Sequence, residues 1–489
     1  MSPRLATTDG LPETVARPRY DRDTHGVGIV HLGLGAFHKA HQAVATDDAL
    51  AAAGGDWRIA GVSLRSAAPS EELTPQNGLY TLIERGRDGT RARVVGAIAR
   101  ALALRTDRQA VLDALCAPET RIVSLTVTEK GYGVDRASGG VDLAHPAIQS
   151  DLAAPDAPQG VAGLLVWALG RRRAAGVAPF TVLCCDNLPE NGHVLRGLLL
   201  DFAARAAPDL KDFIASEVAF PSTMVDRITP ARGAETLALA EDLTGRRDEA
   251  AVETETFTQW VIEDRFPTGR PAWEASGAIF VTDVRPYEDM KLRMLNGAHS
   301  MLAYSGFLAG HAHVRDVMRD EALVALIRRH LSAAAATLAP VPGVGLAGYA
   351  EDLIERFANP HLAHQTYQIA MDGSQKMPQR IFAPAVEAMR RGQSLEPFAF
   401  AAAAWLRYTL GRAEDGAAYD LRDPRAAALA TDRADAEGIV RHVEAIPGLI
   451  PPELTADAAW HGMVVAKLSR ILQDGIRAVL VDEAGSARS

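Results

Sequence analysis

An apolar run, Gly28-Ile29-Val30-His31-Leu32, leads directly into Gly33-Leu34-Gly35-Ala36-Phe37 and then into a helix-compatible stretch from His38 through Leu50. Strand, glycine turn and helix in that order constrain the fold more than any other feature of the chain. The order aims backbone N–H groups and a helix dipole at one spot, where a pyrophosphate is stabilised. Gly33 permits the tight turn, and Gly35 lets a phosphate approach the backbone. The dinucleotide fingerprint is G-x-G-x-x-G/A, and its third small position is here occupied by His38. From these residues alone, a nucleotide site and a plain structural turn both remain open.

The pattern around this segment repeats. Candidate strands at 29–32, 58–64, 79–84, 121–127 and 180–185 alternate with helical patterns at 38–53, 108–116 and 161–175. Such alternation indicates an α/β fold with a largely parallel, doubly wound sheet. A helix at 192–206 follows Asn187-Leu188-Pro189, and beyond it the chain reads as irregular apart from a strand at 278–281. From Pro286 the character changes to helices at 290–308, 314–339, 353–357, 384–391, 398–410 and 461–479. Pro384 suits a first helical position, where its missing N–H costs nothing. The expected organisation is an N-terminal nucleotide-binding domain over 1–285 and a C-terminal, mainly α-helical domain over 286–489. A chain of 489 residues allows two or three domains at ~150 residues each.

Charge and cysteine content exclude several classes. A net charge of −10 argues against nucleic acid or an anionic membrane as the main partner. The one basic run, Arg171-Arg172-Arg173, closes an apolar helical stretch and reads as a solvated cap at the negative end of the helix dipole. Three cysteines, two of them adjacent, are too few for a disulfide framework. Apolar stretches fall short of the ~18 residues a membrane span needs. No hydrophobic signal region opens the sequence. The expectation is a cytoplasmic protein.

The helical half opens on Lys291-Leu-Arg-Met-Leu-Asn296-Gly-Ala-His299. At ~100° per residue, Glu288, Lys291, Asn296 and His299 fall within an arc of roughly 140° that also holds leucines. An amine, an amide and an imidazole on a mostly apolar helix need partners if buried, and a substrate rich in hydroxyls can supply them. Burial lowers a lysine pKa, so such a lysine can act as a base near neutral pH. A surface lysine with Asn and His filling polar niches is the plainer alternative on spacing alone.

KLRMLNGAHS resembles the K-x-x-x-x-N-x-x-H signature of the polyol-specific long-chain dehydrogenases/reductases, a family that includes mannitol 2-dehydrogenase, arabinitol dehydrogenase, fructuronate reductase and tagaturonate reductase. GLGAFHKAHQA (33–43), TVTEKGYG (126–133), CDNLPENG (185–192), FPSTMVDRITP (220–230) and MDGSQKMPQR (371–380) match in the same order. The resemblance runs from about residue 28 to about residue 380. It implies a Rossmann-like N-terminal domain and zinc-independent hydride transfer to or from NAD, with no metal ligands. It places the general base on Lys291 and the amides that steady the reacting oxygen on Asn187 and Asn296. Glu288 becomes the proton relay, and His299, Asp226, Lys376 and Gln368 become substrate contacts. Gly33, Leu34, Gly35, Ala36, Phe37, Arg65 and Glu129 fall at the cofactor, with Glu129 also a candidate gate for water. The plainer alternatives are a turn at Asp186-Asn187, an Asp226–Arg227 ion pair and an exposed loop charge at Lys376. His38 and His41 (i, i+3), and likewise His311 and His313, lack a ligand set for metal.

Two departures bear on specificity. The mannitol-dehydrogenase branch carries R-x-A-x-D-G-S-x-K, whereas this chain has Gln368 in the arginine's place. Glutamine cannot make arginine's charged bidentate contact. After the second strand, Leu64-Arg65-Ser66-Ala67 holds no acid for the ribose diol, so NADP stays open beside NAD. Within the family two substrate pairs compete. One is a hexitol and its ketose, of the D-mannitol/D-fructose type; the other is a hexonate and its ketouronate (fructuronate or tagaturonate). A nucleotide-sensing protein without turnover is the alternative of another class, and the Lys-Asn-His set argues against it. A monomer is the family default.

Overall fold

The computed structural model describes residues 2–135, 138–361 and 364–485. The chain forms two compact units, Met1–Arg285 and Pro286–Ser489.

Among the described residues the first unit holds eleven strands: β1 (Val27–Leu32), β2 (Arg58–Ser63), β3 (Tyr80–Gly86), β4 (Gly89–Val95), β5 (Ile98–Ala103), β6 (Ile122–Leu125), β7 (Thr181–Cys184), β8 (Thr223–Asp226), β9 (Val252–Glu255), β10 (Gln259–Glu263) and β11 (Ile279–Val281). Five of them make a parallel sheet in the order β5-β2-β1-β6-β7. Alternate residues serve opposite faces: Val30, Leu32, Val123 and Leu125 enter one core, and Ile29, Ile59 and Ile122 the other. Both faces are covered, which is why these strands read as unbroken apolar runs. The chain leaves β1 toward β2 on one side and returns to β6 on the other. The end of β1 is therefore the topological switch point of a doubly wound sheet.

The strand expected at 79–84 lies elsewhere. β3 pairs with β4 in an antiparallel hairpin and with β9 in parallel, as a separate sheet. The fifth strand of the main sheet is β5, whose sequence IARALA has helix-forming residues and no clean alternation; burial against β2 outweighs that propensity. The region read as irregular carries the third sheet, β11-β10-β8. The expected helix at 38–53 is broken at His41 (φ −124°, ψ −89°) into Ala36–Ala40 and Gln42–Ala53. The solvated-cap reading of the arginine run fails at its middle residue. Arg172 is 1% exposed and donates to the carbonyls of Leu115, Ala117, Thr120 and Ala178, tying a helix end to the loop before β6.

The second unit is helical. Gly297–Leu308 is buried at every residue but Phe307, and Glu396–Thr409 is buried from Pro397 onward. A helix apolar all round is a core helix, and the amphipathic Glu321–Ala336 packs against both. The long helices expected at 314–339 and 461–479 are each divided, at Met318–Asp320 and at Gly475.

Candidate functional site

In the first unit the glycine turn is fixed by its neighbours. Gly33 has φ +105°, and a Cβ there would lie 2.1 Å from the Thr126 carbonyl oxygen, so only glycine fits. Its N–H and that of Leu34 donate to the Val62 carbonyl at 2.8 and 3.1 Å, while its own carbonyl accepts the Thr126 hydroxyl at 2.9 Å. Gly35 is exposed, and a Cβ there would meet nothing nearer than the Gly33 oxygen at 3.6 Å. That open surface beside a helix start is what an approaching phosphate requires. Gly35, Ala36 and Phe37 begin the helix. Leu34 differs from them: its side chain is buried and its N–H is committed to Val62.

His38 explains how the turn tolerates a histidine at the third small position. It points inward, fully buried, and stacks on His31 at 3.5 Å between ring centroids. His31 Nδ1 lies 2.8 Å from Ser124 Oγ and Nε2 lies 2.9 Å from Thr126 Oγ1; Ser124 in turn donates to Gln42. Burial lowers the His31 pKa to about 3, so the ring is neutral at neutral pH.

Glu129 and Asn187 lie on the loops after β6 and β7, and Asp186 fastens the two loops together. Its carboxylate accepts the N–H groups of Val127 (2.8 Å) and Thr128 (3.3 Å) and the Tyr132 hydroxyl (2.5 Å). These contacts hold Thr128 at φ +67°, a strained conformation for a β-branched residue. Asn191 bonds the Asp186 carbonyl and both backbone groups of Thr223, joining the same loop to β8. The sequence by itself does not single out Tyr132 or Asn191, and it offers Asp186 only as part of a turn with Asn187. Their only signal was membership of the matched segments, since buried hydrogen bonding has no local pattern. Asn187 is exposed, and Asp226 is buried at the end of β8. Arg227 pairs with the Glu84 carboxylate at 2.6 Å and also donates to the carbonyls of Ala40 and Glu255. Arg65 is exposed two residues beyond β2.

In the second unit, the helix carrying the lysine is irregular where it matters. Arg285–Met290 is α-helical, Lys291–Asn296 is π-helical, and Gly297–Leu308 is α-helical again. The Gly297 N–H reaches back to the Leu292 carbonyl, an i→i+5 bond. The uniform turn assumed from the sequence therefore needs correction. In an α-helix residues five apart point about 140° away from each other. In a π segment they stand on successive turns of one face. Lys291 and Asn296 are five apart, so the π segment turns them closer to one face than a uniform α-helix does. Lys291 and His299 are each 8% exposed, Asn296 and Glu288 are half-buried, and Glu288 lies one turn before Lys291. The His299 ring packs on Phe357 (4.5 Å) and His364 (5.7 Å), and burial holds its pKa well below the ordinary value.

A second π segment, Pro378–Phe382, packs on the first. Pro384 has no N–H to give the Arg380 carbonyl four residues back, and the Ala383 N–H reaches Pro378 instead. The freed Arg380 oxygen would lie 3.0 Å from a Cβ on Gly297, so glycine is what allows the approach. The MDGSQK segment has its own structural logic. Asp372 adopts φ +56°, a Cβ on Gly373 would strike Trp405 Nε1 at 2.5 Å, and Ser374 is held by Asp423 at 2.6 and 2.7 Å. Lys376 is half-buried, donates to Met371 O (2.5 Å) and Ile369 O (3.2 Å), and has its pKa lowered by burial to about 8. Gln368 is exposed on Thr366–Ala370.

Among the described residues, no three His, Cys, Asp or Glu side chains gather as a metal site would, and no helix is long and apolar enough to cross a membrane.

Family models match both units: the mannitol dehydrogenase Rossmann domain over residues 27–275 and the mannitol dehydrogenase C-terminal domain over residues 283–472. The chain is 47% identical to the oxidoreductase YeiQ of Escherichia coli strain K12 over 85% of each chain. It is 43% identical to the D-mannonate oxidoreductase of the same organism, covering 95% of this chain and 97% of that one. The structure of mannitol 2-dehydrogenase from Pseudomonas fluorescens, a ternary complex with NAD and D-mannitol, matches with a TM-score of 0.85 at 38% identity, over 99% of this chain and 100% of that one. With its parallel-sheet unit, its helical unit and relatives matched along nearly the whole length, the chain belongs to the mannitol dehydrogenase family of oxidoreductases.

Proposed function

We propose that this protein is a nicotinamide-dependent oxidoreductase that interconverts a secondary alcohol and a ketone on an open-chain sugar derivative, with Lys291 as general acid/base. The observation that supports the reading is the buried Lys291 on a π segment that also carries Asn296 five residues on. In oxidation Lys291 takes the hydroxyl proton, and the Asn296 N–H donates to the oxygen as negative charge builds on it. Glu288, one turn away, passes the proton outward; in reduction the protonated lysine returns it. His299 and Lys376 bind substrate hydroxyls, and the resemblance assigns a further amide donor to Asn187 and a substrate contact to Asp226.

The first unit, 1–285, is the nucleotide-binding domain of this reading, and 286–489 is the substrate-binding and catalytic domain. Gly35, Ala36 and Phe37 fit the cofactor's phosphates because the surface at Gly35 is open and the helix begins there. The bound nicotinamide supplies the hydride acceptor or donor. NAD is the first choice, being the nucleotide in the mannitol 2-dehydrogenase complex, and the exposed Arg65 admits a 2′-phosphate. The relatives name two substrate chemistries, mannitol and mannonate.

Lys291→Ala tests the assignment. Turnover of the preferred substrate falls by ~10³-fold, within the range for loss of a general acid/base, while NADH affinity measured by fluorescence stays within about twofold. Turnover close to that of the unaltered protein would remove Lys291 from the chemistry.

A further inference from the structure

The helix that begins beside the open Gly35 surface is only five residues long, Ala36–Ala40, and it ends at the break at His41. A helix end leaves carbonyls without intrahelical donors, and a buried carbonyl needs another. The last three here are all met. The His38 carbonyl accepts the His41 N–H at 3.2 Å, and the Lys39 carbonyl accepts the Tyr80 hydroxyl of β3 at 2.5 Å. The Ala40 carbonyl accepts Nη1 of Arg227 at 2.6 Å. Arg227 follows Asp226 at the exit of β8, and its side chain is 2% exposed. Its Nη2 donates to the Glu84 carboxylate of β3 at 2.6 Å, and Nε and Nη2 reach the Glu255 carbonyl at 3.3 and 3.1 Å. The end of β9 is in turn stitched to the residue after Arg227. The Ile228 N–H donates to the Glu255 carboxylate at 2.7 Å, and the Ile228 carbonyl accepts the Glu255 N–H and the Thr254 hydroxyl. Lys39 ties the helix to the entry of β9, through Nζ to the Ala250 carbonyl at 2.7 Å. Arg227 ties it to the other end, beside Asp226. A planar guanidinium serves three acceptors in different directions at once, which the compact ammonium of lysine does not.

We propose that Arg227 is a positioning residue that fixes the helix Ala36–Ala40 relative to the end of β8, so that cofactor affinity and substrate binding both depend on one buried guanidinium. The inference rests on the proposed function, which assigns Gly35, Ala36 and Phe37 to the cofactor and Asp226 to the substrate. With its nitrogens on Ala40, Glu84 and Glu255, Arg227 acts through those groups and not on the reacting atoms. Without it, the Ala40 carbonyl loses its donor, and the end of the helix is free to move away from β8. The Tyr80 hydroxyl holds the neighbouring Lys39 carbonyl from β3, so it anchors the same helix end without acting on β8. That difference supplies the control.

The test measures the NADH Kd by fluorescence titration and, at saturating NADH, the KM and kcat for whichever of D-fructose and D-fructuronate the unaltered protein reduces. Arg227→Lys keeps a cation facing Glu84 but reaches fewer of the three acceptors. It raises the NADH Kd and the substrate KM by ~10-fold each, with kcat within about threefold, because a small displacement of a binding group is costly. Glu84→Gln, at a partly exposed position where folding is not at risk, moves both constants the same way by ~3-fold. Tyr80→Phe raises the NADH Kd by ~3-fold and leaves the substrate KM unmoved. Both constants unmoved in Arg227→Lys overturn the proposal, and where that variant does not fold Glu84→Gln decides by the same criterion. A Tyr80→Phe protein whose KM moves as much as its Kd also overturns it, since general loosening would then explain both. If the unaltered protein binds NADH and reduces a substrate while the variants are unmoved, Arg227 alone loses its role. If the unaltered protein binds no NADH, the proposed function fails and this inference with it.

Discussion

In the proposed reading the two units reach their chemistry by opposite means. In the first, the chemistry is carried by backbone. Gly33 and Gly35 are defined by what they lack, and the Val62 carbonyl and Thr126 hydroxyl hold the turn in place. In the second, it is carried by side chains whose alignment depends on a local change of helical pitch between Met290 and Gly297. A backbone site tolerates no Cβ but is indifferent to many neighbouring side chains. A side-chain site on a helix is sensitive to every residue that sets the phase of that helix.

The largest expected effect tests the backbone half. Gly33→Ala puts a Cβ 2.1 Å from a backbone oxygen in a left-handed conformation. It should cost ~3 kcal/mol or more of stability and weaken NADH binding by at least ~100-fold. A variant that melts and binds NADH like the unaltered protein would break the contrast between the units.

The next effect tests the helical phase. Gly297→Val pushes against the Arg380 carbonyl and His330, each 3.0 Å from the first added carbon. The Pro378–Phe382 segment must shift, and with it Asn296 and Arg380. We expect kcat/KM to fall ~10-fold or more with NADH affinity unchanged, because small misplacements of reacting groups are costly. Equal losses in turnover and in NADH binding would mean that Gly297 acts through general stability.

A further test is common to both units and sharpens what they share. His31 and His38 in the first unit, and His299 and His330 in the second, are buried with lowered pKa values, about 3 for His31 and about 4 for His330. The unfolded chain takes up these protons below pH ~6.5, while the folded chain does not until the pH nears the lowered values. Stability is therefore full above pH ~6.5 and is lost as the pH falls toward 4, by up to ~1.4 kcal/mol per unit for each histidine. Melting temperatures at pH 7.5 and 5.5 check the sign, and a Tm that rises on acidification would contradict it.

Legibility followed the same division. Strands buried on both faces announce themselves as apolar runs, so the cores of β1, β2, β6 and β7 were found within a residue or two. Strands built from IARALA or VETE were not found, because their residues carry no strand pattern and are held by pairing with β2 and β3. Asp186 read only as part of a turn because its three partners come from a loop more than fifty residues away in sequence.

By itself the sequence determined the α/β alternation, the switch to helices near residue 286, the glycine turn, and the presence of a lysine, an amide and an imidazole in one short motif. These are properties of local order, written in periodicity and in residue type. Only the tertiary structure decided that the helix widens between Lys291 and Asn296, that His38 points inward, and that Arg380 reaches Ser300 on that helix. The physical reason is that helical pitch is set by proline, glycine and neighbouring helices acting across space. A spacing of five residues has no fixed direction until that pitch is known.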